Sequence, residues 1–522
     1  MRSRTEPRTR LDAATIRACG DLLRRLGSTN GFHSNVLVAQ LPAGQSSKRM
    51  GEIVGSVLND LPPLVREIVT RCDIGGEQYA AVAKALFVSE RHLFRLRRDA
   101  LARIADALLR DELPSTTHAV EVLPDALDAR LRMSEALADR GAWREAGELL
   151  KDLVTEVPAE RRGALEVQLS RLYVDADRFD LARHHAEEAR GLASRCSEDQ
   201  QWQRAEADVS LAVVAAGSGD WIAADAILQR SVTELRSWIA QSNGTRVRHA
   251  LVTGLLVQAE IADNRGDDAE IDLATQACSL VKGSDPVDGR VALEARTMVA
   301  VTSLIRGKNS QRAEASLWDC YYSAVAAGML RDSLIIATNL AGHYRGKGQP
   351  AEAVRFLRPL LGTARVAGSG WVHCGVLSHF VKASLEMGAL ERAAAYLEKM
   401  SDVAGDNVIS QADVALTRAR VQFALANFEP ARRAATAAET AYAEMDMSRP
   451  VSTALRTKAE ALAALGRSAE ALRAITQAIE IISESGHPLK LAGAYRSMAR
   501  ISQRPQYAVA AERLVREARE TL

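Results

Sequence analysis

The feature that most constrains this chain is a local pattern that recurs at a nearly fixed interval. From about residue 125 onward, a helical run ends at Gly or another small or polar residue. An aromatic often stands two residues later, and five residues after the Gly an Ala opens the apolar face of the next helix. The clearest copy is Gly141-Ala142-Trp143-Arg144-Glu145-Ala146, followed by Leu149, Leu150, Leu153 and Pro158. Asp177-Arg178-Phe179 leading to Ala182, and Gly219-Asp220-Trp221 leading to Ala224, repeat it. Weaker copies surround Gly266 (to Ile271), Gly307 (to Arg312 or Ala313), Gly348 (to Ala353), Gly388 (to Ala393), Ala426 (to Ala431) and Gly466 (to Ala471). Taking Ala313, successive copies are separated by 36, 42, 47, 42, 40, 40, 38 and 40 residues. Periods of this length belong to stacked supersecondary units.

Each unit reads as two antiparallel helices. Gly suits the left-handed position that ends the first helix, and Ala allows the two helices to cross closely. One hairpin cannot bury its apolar face alone, so hairpins stack into a solenoid. Only 4% of residues are aromatic, which fits Ala-spaced helices better than a β-sandwich. The Gly-x-aromatic-x-x-Ala core and the Pro twelve residues after Ala146 resemble tetratricopeptide repeats. That resemblance covers roughly residues 125–522, is specific in the first three units and degenerate in the fourth and fifth, and departs from the family's period of 34. It implies an all-α chain in which an N-terminal domain, residues 1–115, precedes an α-solenoid of about nine helical hairpins over residues 116–522. A boundary near Leu113-Pro114-Ser115-Thr116-Thr117 follows from turn composition.

Residues 1–115 do not carry the repeat. Within them, 61–104 is the informative stretch. It predicts a helix from Pro63 to Arg71, a break at Gly75-Gly76, a second helix over Glu77–Leu86, and a third after the N-cap Ser89. Ala83 sits where two helices cross, Val88 follows the turn, and Leu93 and Leu96 point inward, the spacing of a helix-turn-helix. The Leu-Pro entry, Gly-x-x-Tyr, crossing Ala and Val-Ser resemble region 4 of bacterial sigma factors. The Ser-Glu-Arg-His-Leu-x-Arg-Leu string is similar to arabinose-type activators. One departure is Phe87 at the turn position usually held by Gly.

Charge agrees with that reading. The chain as a whole carries +1, but residues 1–115 hold 18 Lys+Arg against 13 Asp+Glu, leaving −4 for the rest. In the reading that the resemblance implies, Ser89 caps the third helix and Glu90, Arg91, His92 and Arg95 face base edges of double-stranded DNA. Lys84, Arg97, Arg98 and Arg103 contact phosphates. The competing reading is a solvated face of an ordinary helical domain.

Registering the first helices by their turns places Thr338, Arg345, Ser378, Lys382, Arg420, Arg456 and Glu460 on the concave side of the array. A row of basic residues in a helical groove suits a peptide carboxylate or an acidic protein partner; here too a solvated face competes.

Signs of catalysis are missing. There is no Gly-x₄-Gly-Lys-Ser/Thr loop, no His-Glu-x-x-His and no Gly-x-Ser-x-Gly. The six Cys form no Cys-x-x-Cys pair, which suits neither a zinc site nor a disulfide framework. His184-His185 is a poor metal pair, because neighbours on a helix point apart, and His373-Cys374 with His379 has no partner at a defined spacing. No enzyme, metal or cofactor is expected. The basic N-terminus leads into no apolar signal-peptide core, and no run of about 18 apolar residues would span a bilayer, so the expectation is a cytoplasmic protein without membrane contact. The order of a DNA-binding head before such repeats is similar to peptide-responsive quorum regulators. It implies a bacterial transcription regulator whose array senses a peptide or protein or forms a homodimer. The alternative is an interaction scaffold whose head docks on a protein such as RNA polymerase.

Overall fold

A computed structural model describes residues 15, 18–20, 22–23, 53–58, 61–74, 78–86, 88, 90–110, 126–139, 141–157, 159–195, 201–241, 244–281, 289–306, 310–367, 369–483 and 488–520. Every regular element among them is helical. They divide into two compact units, residues 1–126 with 325–328, and residues 127–324 with 329–522. The expected boundary at 113–117 lies outside the described residues.

In the first unit, α1 (Pro63–Val69) runs into a π-helical turn at Thr70–Ile74. It is followed by α2 (Tyr79–Ala85) and α3 (Glu90–Arg110). Pro at the first turn of α1 has no N–H to waste. Val82, Ala83, Val88 and Leu93 are buried and Leu96 is half-buried, as the spacing of 61–104 requires. The core is completed by Leu22, Leu23, Ile53, Leu101, Ile104 and Leu108. Ser89, Phe87 and Gly75-Gly76 lie outside the described residues.

The second unit is an array of ten antiparallel helical pairs among the described residues. The first five are α4 (Ala126–Asp139) with α5 (Trp143–Glu156), α6 (Ala159–Asp175) with α7 (Phe179–Ala193), α8 (Trp202–Gly217) with α9 (Trp221–Gln241), α10 (Thr245–Arg265) with α11 (Ala269–Leu280), and α12 (Gly289–Ile305) with α13 (Ser310–Ala327). In the sixth, α14 (Leu330–Gly346) pairs with a second helix that Pro359 splits into α15 (Pro350–Leu357) and α16 (Leu360–Ala367). The last four are α17 (Gly370–Glu386) with α18 (Leu390–Ala404), α19 (Val408–Ala424) with α20 (Phe428–Glu444), α21 (Ser448–Ala464) with α22 (Ser468–Ser483), and α23 (Pro488–Ser502) with α24 (Pro505–Glu520). This fold, helical hairpins stacked as a solenoid, is the one the period predicts. The tenth pair turns at Gln503, with Pro505 where an aromatic often stands and with its fully buried alanine, Ala511, eight residues on instead of five.

The turns have the expected backbone. Gly141, Asp177, Gly219, Gly266, Gly348, Gly388, Ala426 and Gly466 all have positive φ. The crossing alanines Ala146, Ala182, Ala224, Ala353, Ala393, Ala431 and Ala471 are at most 1% exposed. In the fourth pair the close contact is made by Ala274, fully buried, and not by half-buried Ile271. Ala426 holds a left-handed φ of 61° in an exposed turn. A side chain there costs about 1–2 kcal/mol, part of which glycine returns as unfolded-chain entropy. Ala426→Gly is therefore expected to raise stability by about 0.5–1 kcal/mol, read as a higher urea midpoint at constant slope.

The array winds back on itself. The Asp177 carboxylate, at the turn of the second pair, accepts the backbone N–H of Trp371 at 2.9 Å, at the start of the seventh. Gly219, at the turn of the third pair, has no room for a side chain because Val408 and Met445 of the eighth lie against it. Arg265 donates to Asp225 at 2.6 Å and to Asp446 at 2.7 Å, and Arg449 of the ninth pair bonds Asp263 of the fourth. Pairs five apart therefore meet, so one superhelical turn takes about five hairpins. Residues 205–295 and 412–498 contribute to a single apolar cluster across that seam.

Candidate functional site

Winding leaves a half-open cavity of about 740 Å³ along the inner, first helices of the pairs. Its walls combine apolar side chains such as Val213, Leu256, Met298 and Ile335 with amides and hydroxyls such as Asn264, Thr338 and Asn339. That mixture is typical of small-molecule and peptide sites.

One wall carries a buried ion network. Asp175, the last residue of α6, sits between Arg290 at 2.7 Å and Arg331 at 3.1 Å. Arg290 also approaches Asp332 at 3.2 Å and Glu294 at 3.2 Å, and Arg171 reaches Glu294 at 2.5 Å. Burial alone would raise the Asp175 carboxyl, but Arg290, Arg331 and Arg171 outweigh it and hold it below the ordinary range. Asp332 goes the other way: desolvation, with Glu294 and Asp175 nearby, raises it. Further along, Glu260 is accessible to water at the cavity wall. Desolvation within the wound helices, helped by Asp263, pushes its carboxyl up to about 7 against the pull of Arg331 and Arg449.

Beyond Asp413 and Arg449 the concavity turns cationic. Lys382 of α17 and Arg420 of α19 are half-buried, and neither has a hydrogen-bonded or ion-paired partner among the described residues. Desolvation is the largest cause that pushes Lys382 down to about 8, with Arg420 and Arg345 adding to it and Asp413 opposing. Arg420 is pushed down to about 10 by desolvation and by Arg456 and Arg345. His379, beside them, is held well below its usual value by desolvation and by Lys382 and Arg345, and its buried Nδ1 has no partner among the described residues.

The residues read from the array sequence divide into two groups. Lys382, Arg420 and half-buried Arg456 stand on the cationic side, and Thr338 lines the cavity while its hydroxyl donates to Ile335 O at 2.7 Å. Arg345 is engaged by Glu386, and Glu460 accepts from Ser497 at 2.5 Å and Arg500 at 2.6 Å, so both tie adjacent pairs together. Ser378 stands four residues before Lys382, on the same face of α17, but is 4% exposed and so offers a ligand almost no surface. Lys490 of α23 was missed. It is accessible within the concavity, and desolvation together with Arg449, Arg420 and Lys382 drives its ammonium well below the usual value, with Asp263 opposing. It stands on the first helix of the tenth pair.

In the first unit, Glu90, Arg95, Arg98 and Arg103 are exposed on α3. Arg98 pairs with Asp99 at 3.3 Å. Arg91 and His92 stand in the first turn of α3, and Lys84 near the end of α2. Arg97, expected at phosphate, is instead turned inward. Its guanidinium donates three hydrogen bonds of 2.5–3.0 Å to fully buried Asp73 and lies over the Tyr79 ring at 5.1 Å.

The other sequence features have structural explanations. His185 Nδ1 meets Glu166 at 2.7 Å in a buried pair. Burial pushes the Cys374 thiol up to about 12, far from nucleophilic. No cluster of metal-ligating residues occurs among the described residues, and no helix among them is long and apolar enough to cross a membrane.

No protein-family model matches the chain. No curated protein matches it either. Among solved structures it is similar to a Rap protein complexed with competence and sporulation factor, with 11% identity, a TM-score of 0.52, and coverage of 71% of this chain and 99% of that one. The apo form of the quorum sensor NprR from B. thuringiensis aligns with 12% identity over 75% of this chain and 99% of that one, at a TM-score of 0.36. At this identity the first likeness establishes the fold, a helical-repeat solenoid, and the second adds nothing to it.

Proposed function

We propose that the chain is a DNA-binding transcription regulator in which residues 1–115 read double-stranded DNA and the array senses a peptide or protein ligand or forms a homodimer. The observation that carries the sensing half is the walled cavity with charged groups that the fold leaves unpaired at one end. The Rap protein of the same fold was solved as a complex with competence and sporulation factor, which supports a ligand-binding array. The DNA half rests on α3. Its first turn carries Arg91 and His92, and the exposed Arg95, Arg98 and Arg103 follow. Non-catalytic action in the cytoplasm is part of this reading.

Genome-wide mapping of DNA bound by the full-length protein tests it. Wild-type protein is expected to bind selected sites with an affinity that falls steeply with salt. Arg91→Ala with Arg95→Ala is expected to cost about 1–3 kcal/mol of discrimination per lost base contact and to flatten sequence preference. Absence of salt-dependent DNA binding overturns the reading. A second reading is favoured by Phe94, which is 42% exposed on α3 and packed against Tyr79 with ring centroids 5.0 Å apart. An exposed aromatic suits docking on a protein such as RNA polymerase. That reading gains if the double variant leaves DNA binding unchanged while a protein partner is lost.

A further inference from the structure

Four cations in the concavity have no hydrogen-bonded or ion-paired partner among the described residues: Lys382 of α17, Arg420 of α19, Arg456 of α21 and Lys490 of α23. Arg345 of α14 is held by Glu386 and stands apart from them. Lys382 and Arg420 each lie six residues before the left-handed turn residue of their own pair, Gly388 and Ala426, so they share one level on neighbouring first helices. Arg456 reaches over to α23, where its guanidinium fills the space that a side chain at Gly493 would need. Gly493 is three residues from Lys490, on the same face of that helix. The charges that act on Lys490 are Arg449, Arg420 and Lys382, with Asp263 of α10 opposing from across the seam. The cations therefore converge on one region of the lumen and do not spread along a wall.

Convergence sets the chemistry that fits. The carboxylates within reach are committed: Asp263 to Arg449, Asp413 to the Tyr442 hydroxyl, Glu460 to Ser497 and Arg500. Crowded cations without anions cost folding free energy, and a single carboxylate would answer only one of the four. A phosphate ester carries about two negative charges at neutral pH on three oxygens that point different ways, so donors arriving from several helices can all reach it. Two of the four are lysines, compact point charges that suit phosphate better than the flat fork-on-fork geometry of a carboxylate. Beside Asp413 and Arg449 the cavity wall offers Ile409, Met447 and Pro450, an apolar surface for an organic body.

We infer that this end of the lumen binds a small phosphate ester, its phosphate held by Lys382, Arg420, Arg456 and Lys490 and its organic part lying against Ile409 and Met447. This ligand is additional to the peptide or protein proposed above, and the two readings fail separately. Without an anion the crowded groups lower one another's basicity. Desolvation with Arg449, Arg420 and Lys382 drives the Lys490 ammonium well below its usual value, and desolvation with Arg420 and Arg345 holds Lys382 at about 8 against Asp413. A dianion among them raises both toward the ordinary lysine range. Binding therefore takes up protons and tightens as pH falls toward neutrality.

The test is calorimetric titration of the full-length protein with phenyl phosphate, inorganic phosphate and benzoate, at one slightly alkaline pH in two buffers of different ionisation heat. Phenyl phosphate is expected to bind about tenfold or more tighter than benzoate, with net proton uptake, and tighter than inorganic phosphate because its ring meets the apolar wall. The Lys382→Met, Lys490→Met double variant is expected to lose that binding while its ligand-free melting temperature holds or rises. Benzoate binding as tightly as phenyl phosphate overturns the proposal in favour of a carboxylate ligand. Inorganic phosphate matching phenyl phosphate overturns the ester in favour of the free anion. No binding of any of the three, or binding that survives in the double variant, overturns the site, and a variant that melts lower assigns the two lysines to the fold. None of these results touches peptide sensing, which retention of random peptides by the same protein reads independently.

Discussion

Asp175→Ala is expected to destabilise the array by about 3–5 kcal/mol. The Asp175 side chain is 8% exposed and bridges Arg290 and Arg331, whose side chains are 21% and 15% exposed. Removing the carboxylate leaves two guanidiniums facing each other in a place water barely reaches. Asp332 and Glu294 remain near Arg290 and offset part of the loss, which favours the lower end of the range. Asp175→Asn keeps a hydrogen-bond acceptor but not the charge and should fall between. The pH dependence has a definite sign. Because the Asp175 carboxyl is held below its ordinary value in the folded chain, its contribution is fully present above the ordinary carboxylate range and is lost as pH falls through the folded value. Wild type and variant should therefore converge in strong acid. Urea unfolding followed by tryptophan fluorescence reads the loss, and hydrogen exchange should show it first at the starts of α12 and α14, where Arg290 and Arg331 stand. An unchanged midpoint at neutral pH would mean that the network contributes no net stability.

Local rules account for what was legible in the sequence. A left-handed turn followed five residues on by a fully buried Ala is a short-range device, so Gly141 with Ala146 or Gly388 with Ala393 can be read from a handful of residues. The rule weakens in the tenth pair, where Gln503 is followed by Pro505 and the fully buried alanine, Ala511, comes eight residues on. Closure of the superhelix has no local signature at all. Arg449 meets Asp263, and Asp177 meets the Trp371 N–H, only because about five hairpins complete a turn, and that pitch is a sum of small rotations that no single repeat encodes. Ser378 shares a helix face with Lys382, but its burial comes from neighbouring helices and cannot be read from turn register alone. Arg97 was grouped with its basic neighbours because charge counting is blind to a carboxylate 24 residues upstream.

That carboxylate carries the second large effect. Asp73→Ala is expected to cost the first unit about 3–5 kcal/mol, a large share of the 5–15 kcal/mol that holds a typical domain together. Asp73 is fully buried and accepts three hydrogen bonds from Arg97. Gly20 packs so close to the pair that an added Cβ would fall 2.7 Å from the guanidinium. With Asp73 gone, Arg97 must either stay charged without a partner or swing out and leave a hole beneath Gly20. By contrast, Arg98→Ala and Arg103→Ala alter exposed side chains and should change stability by about 0.5 kcal/mol or less. The chain allows a clean readout, since all six Trp lie beyond residue 142. Tryptophan fluorescence should report an intact array while amides of residues 90–110 lose hydrogen-exchange protection. The double variant Asp73→Ala, Arg97→Met removes both partners and keeps the apolar stem, so it should recover most of the lost protection. It also separates fold from function at Arg97. If DNA binding returns with stability, Arg97 serves the head's core alone; if protection returns and binding does not, the guanidinium also contacts phosphate.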